Sequence, residues 1–95
     1  MIGGYTRYSS IANESTQELL DVHAQEIASK LKKPFTTYRA ISYKTQMVTG
    51  VNYKIKVILD DQEFIHVTIY VHSEVDGYVS KLLNVITNQT KNSEI

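Results

Sequence analysis

The chain of 95 residues contains no cysteine. That absence excludes a disulfide staple, a thiolate zinc site, an iron–sulfur site and a cysteine nucleophile together. Net charge is absent as well, since ten basic residues balance ten acidic ones. A balanced chain lacks the counterion release that drives binding to DNA or RNA, and the polybasic pull toward a membrane surface. Apolar runs are only a few residues long, far short of a bilayer span. The opening stretch, Met1-Ile2-Gly3-Gly4-Tyr5-Thr6-Arg7, has no basic region followed by an apolar one, and no glycine at position two. It therefore reads as neither a secretory leader nor a myristoylation signal. Asn13-Glu14-Ser15 and Asn88-Gln89-Thr90 have the form of glycosylation sequons, which carry little weight without an export signal. The expected location is cytoplasmic, and the initiating Met1 argues against a processed secreted chain. With 42% hydrophobic and 21% charged residues, residues 1–95 suit one small globular domain with no room for a second.

What is present is a change of period along the chain. Residues 1–12 are polar and aperiodic and read as an N-terminal arm, with a short strand at 9–13 as the alternative. Over residues 15–33 the period is helical. Leu20, His23, Ala24, Ile27, Ala28 and Leu31 form one stripe, Ser15 and Glu18 have capping-box spacing, and Pro34 stops the helix. From residue 35 to 88 the period becomes two. Thr49-Gly50, Asp60-Asp61-Gln62 and Asp76-Gly77 are the turn signals, and residues 90–95 read as a polar tail. No helix separates the strands, so neighbours pair antiparallel as a meander. The expected fold is α+β: one N-terminal α-helix packed across a four- to five-stranded antiparallel β-sheet.

Catalytic and metal chemistry find little support. His23 lies on the helix stripe and reads as a packed core histidine. His66 and His72 share a strand face but stand about 20 Å apart, too far for one metal. Asp60-Asp61 reads as a solvated turn. There is no nucleophile elbow, P-loop or dinucleotide fingerprint, and no cofactor or metal is expected. Lys44, Lys54 and Lys56 are few and offset by acids elsewhere, so neither nucleic acid nor membrane is an expected partner.

The informative segment is Gln46-Met47-Val48-Thr49-Gly50, followed at once by Asn52-Tyr53-Lys54-Ile55-Lys56-Val57. Gln-x-Val-x-Gly on the first hairpin after a helix, with this continuation and with Gly4 near the start, resembles the stefin (type 1) branch of the cystatin superfamily of cysteine-protease inhibitors. The resemblance runs from Gly4 to about Asn88. In physical terms, Gly50 allows positive φ or close approach of a partner backbone. Val48 offers a small apolar group and Gln46 an amide.

The resemblance implies a wedge that enters the active-site cleft of a papain-like, cathepsin-type protease without presenting a scissile bond, so that inhibition is reversible and non-covalent. Carried over by position, the protease-binding residues are Ile2, Gly3 and Gly4 in the arm and Gln46, Met47, Val48, Thr49 and Gly50 in the first hairpin. His72, Ser73 and Val75 are those of the second hairpin. Stefins often carry a Leu-Pro pair there, whereas this chain has Ser73-Glu74-Val75-Asp76, so this loop is expected to contribute less than the first. The docked interface is expected to bury about 1,600 Å². A charge introduced at Gly50 is expected to weaken docking greatly and leave thermal unfolding nearly unchanged. The alternative function is a non-inhibitory interaction module on the same scaffold. A monomer is expected; the alternative is a dimer that swaps the N-terminal strand and helix through the first hairpin.

Overall fold

The structure, a computed structural model, describes residues 4–95. In chain order the elements are β1 (Ser10–Ile11), α1 (Glu14–Val22), α2 (Ala24–Leu31), β2 (Tyr38–Val48), β3 (Gly50–Leu59), β4 (Glu63–Glu74) and β5 (Gly77–Gln89). The five strands form one antiparallel sheet in sequential order β1-β2-β3-β4-β5, and the helices cover one face. This is the α+β architecture that the change of period predicts.

The helical segment departs from expectation at both its start and its middle. Asn13, extended at φ −122°, is the N-cap, and its side-chain oxygen accepts from the Thr16 amide at 3.0 Å. Thr16 Oγ1 accepts in return from the Asn13 amide, so the reciprocal box is Asn13–Thr16 rather than Ser15–Glu18. Asparagine caps as well as serine, and the earlier cap satisfies the first-turn donors before Ser15 is reached. The predicted single helix is two, because His23 leaves helical angles at φ −107°, ψ 9°. Its ring is buried between Glu26 Oε1, 2.9 Å from Nδ1, and Ser80 Oγ on β5, 2.8 Å from Nε2. The break lets Leu20 of α1 and Ile27 of α2 both reach the core.

Those two side chains meet Ile55, Val57 and Leu59 of β3, Ile65, Val67 and Ile69 of β4, and Leu82 of β5. Three register shifts, at Ala40/Ser42, Phe64/His66 and Thr68/Ile69, bend the long strands. Such bulges sharpen twist and wrap a sheet around its helix. Residues 90–95, the polar tail, fold over the opposite sheet face. Lys56 Nζ donates to the carbonyls of Lys91 and Ser93, both at 2.6 Å. Lys56, which alternation assigns to solvent, is therefore buried. Outward pointing and exposed are not equivalent when another segment covers the face.

Candidate functional site

The β2–β3 connection is tight. Val48 pairs with Gly50, and Thr49 alone forms the tip. Gly50 takes φ +118°, which side-chain-bearing residues rarely adopt. A Cβ there would stand 2.6 Å from the Val71 carbonyl oxygen and 2.8 Å from the Tyr70 hydroxyl. The glycine is thus demanded by the fold itself. The expectation that a charge at Gly50 spares the fold is overturned by these contacts.

The register places three segments at one end of the sheet. Val51 pairs with Val71, so the first tip stands level with His72 and Ser73 of β4. The second tip, Val75-Asp76 between Glu74 and Gly77, extends roughly two residues further, about 7 Å. On the other side, Tyr5 bridges to Gln46, and the Thr6 amide donates to the Thr45 carbonyl at 2.9 Å. The arm therefore runs along the edge of β2 and delivers Gly4 to the same end. Ile2 and Gly3 lie outside the described residues.

The side chains at this end divide into exposed and committed ones. Met47 is 64% exposed and Val75 99%, with Thr49 and Ser73 also open to solvent. Val48 and His72 are half-buried. Gln46 is held, since its Oε1 accepts from Asn52 Nδ2 at 3.0 Å across the β2–β3 pair. His72 Nε2 lies 2.9 Å from Glu74 Oε1, which orients the approach to the second tip.

Tyr70 was not singled out in the sequence, and it connects the two hairpins. Its hydroxyl donates to the carbonyl of Thr49, its ring fills the space above Gly50, and that ring packs on His72 with centroids 5.4 Å apart. Tyr5, a large side chain of the arm, packs within the molecule: the Lys54 ammonium sits 4.6 Å from its ring centroid and holds the arm down. The available signal was parity. Tyr70 falls opposite Asn52 once the turns at Gly50 and at residues 60–62 set the register.

Electrostatics elsewhere do not suggest chemistry at this end. Asp60 lies at the far end of the sheet, with its carboxylate held below the usual range by the Thr37 amide and then the Thr36 amide. His66 is buried, and desolvation, helped by Lys56 and Lys54, pushes its pKa down to about 4. Among the described residues no three His, Asp or Glu side chains cluster to hold a metal ion, and no helix is long and apolar enough to cross a membrane.

Comparison with known proteins adds an independent line. The cystatin domain family matches residues 3–92. Cystatin-B of Pan troglodytes is 32% identical over all 95 residues, covering 97% of that relative. Cystatin-B of Homo sapiens and Cystatin-A of Felis catus are each 30% identical over the same 100% of this chain and 97% of their own.

Proposed function

From the premise that the chain belongs to the cystatin family, we propose that it is a reversible, non-covalent, tight-binding inhibitor of papain-like, cathepsin-type cysteine proteases. Members of this family are protease inhibitors rather than enzymes. The observation that carries the proposal is the alignment, at one end of the sheet, of the arm, the Thr49 tip and the Val75-Asp76 tip. Gly4, Gln46 to Gly50, His72, Ser73 and Val75 supply the wedge, with Ile2 and Gly3 as its extension. Thr49 and Met47 present open side chains to the cleft. Gly50 and Gln46 shape the tip from within. A tip held by Tyr70 and by strand pairing loses little entropy on docking, which favours affinity. The wedge blocks the cleft and takes no part in chemistry; the nucleophile and its base belong to the protease. We place this activity in the monomer and, from the likeness to the stefin relatives, in the cytoplasm.

Titration of papain with the purified chain tests the proposal. The expected outcome is saturable inhibition that reverses on dilution. No inhibition at micromolar excess would leave the scaffold as a non-inhibitory interaction module. Thr49→Glu places an unpaired charge at the tip and should weaken inhibition about 100-fold, with the melting temperature held within a few degrees. Deleting Met1–Gly4 should speed dissociation from the enzyme, which stopped-flow displacement measures directly.

A further inference from the structure

The zero net charge conceals an uneven distribution. Along residues 14–26, which hold α1 and the start of α2, four acids (Glu14, Glu18, Asp21, Glu26) occur with no lysine or arginine. On the sheet face away from the helices the cations gather. Lys44 and Lys54 stand directly opposite each other across β2 and β3, a pairing that costs stability between like charges. Next to them is a groove of about 420 Å³, whose lining includes Arg7, Lys44, Lys56, Lys91 and Glu94.

This groove has a floor, two walls and a loosely paired charge. Lys44 is only 9% exposed, and its one ion-pair partner among the described residues is Glu94, at 3.9 Å. That distance is beyond a hydrogen bond, and Glu94 is itself 90% exposed. The Lys44 stem is covered while its ammonium reaches the groove, where its one carboxylate partner stands too far off to neutralise it closely. Lys56, at 7% exposure, forms the rest of the charged floor, and its ammonium is anchored to the tail carbonyls. The arm residues Arg7, Tyr8 and Ser9 make one wall, and the tail from Lys91 to Ile95 the other. Arg7 stacks near the Tyr8 ring, 5.6 Å from its centroid, which leaves a planar fork of donors at the rim.

We infer that this groove, on the face away from the helices, is a binding site for a small, multiply charged oxyanion of the phosphate or pyrophosphate class. The anion sits between the Lys44 ammonium and the Arg7 guanidinium and accepts charge-assisted hydrogen bonds from both. Its charge offsets the repulsion among Arg7, Lys44, Lys56 and Lys91, which Glu94 alone among the lining side chains opposes. The tail and arm walls limit length, and the volume falls at the small end of ligand sites. Both features favour a compact anion over a nucleic-acid strand. The site is independent of the hairpin tips and stands or falls apart from protease inhibition.

The test is titration of the full chain with sodium pyrophosphate, followed by amide NMR at about 150 mM ionic strength matched with sodium chloride. Saturable shifts confined to residues 7–9, 42–44 and 91–95 are expected. Lys44→Gln should weaken binding about tenfold or more, while Lys33→Gln, at the end of the helical segment, should leave it unchanged. Should Lys44→Gln fail to fold, Arg7→Gln at the exposed rim replaces it, with a severalfold loss expected. Non-saturating shifts spread over all lysines would overturn the inference, as would equal affinity in Lys44→Gln or, failing its folding, in Arg7→Gln. A single-stranded oligonucleotide binding far more tightly than pyrophosphate at the same salt would overturn it in favour of a polymer surface.

Discussion

At the residue scale, Gly50 and Tyr70 form one unit. The positive φ of Gly50 and the closeness of the Val71 carbonyl oxygen leave no room for a Cβ, and the Tyr70 ring occupies the remaining space. Any substitution at Gly50 therefore reports on folding as well as docking, whereas Thr49 reports on docking alone. Tyr70→Phe keeps the ring over Gly50 and removes the bond to the Thr49 carbonyl. It should cost about 1 kcal/mol in urea unfolding and raise the protease dissociation rate severalfold. Unaltered dissociation with lowered stability would confine Tyr70 to a structural role. The glycine was legible in the sequence because the turn chemistry demanded it. The tyrosine was not, because its role depends on a partner 21 residues earlier in the chain.

At the element scale, the helical segment shows how local signals compete. The stripe with Leu20 and Ile27 is plain in the sequence, and both residues are core. The interruption at His23 is not, because it is set by Ser80 on the last strand. The end of α2 has its own cost. Lys32 adopts φ 57°, a left-handed cap that glycine takes without strain. Lys32→Gly should therefore stabilise the chain by about 1 kcal/mol and raise the melting temperature by about 4–8 °C. A lowered melting temperature would mean that the lysine side chain contributes more than its backbone costs. The strands follow the same logic. Their alternation is legible, while the three bulges that tilt them around the helices are long-range compromises of packing.

At the scale of the whole molecule, His66 links the covered sheet face to pH. Its folded pKa of about 4 lies below the ordinary 6.5, so between those values the unfolded chain binds more protons. Stability from the neutral ring is complete above pH 6.5 and is lost as pH falls toward 4. The total is about 3 kcal/mol. Urea midpoints at pH 7 and pH 4.5 should differ accordingly, and His66→Leu should flatten that difference. An unchanged slope in the variant would show that other groups govern acid sensitivity. On the same face Lys56 anchors the tail, so that segment and His66 are covered together.

The sequence by itself determined the α+β class, the order of helix and strands, the tight turn at Gly50 and the resemblance carried by Gln46 to Gly50. These depend on periodicity and on local backbone chemistry, which act over a few neighbouring residues. Tertiary structure alone decided which segments share an end of the sheet, that Tyr70 clamps the first tip, and that the tail covers Lys56. It also decided where the charges gather. Composition counts lysines and glutamates, and only the pairing of distant strands sets which of them face one another. The missing cysteines and the balanced charge thus excluded whole classes of chemistry. The register of five strands aligned the arm and two hairpin tips at one end and left a lysine-lined groove on the face away from the helices.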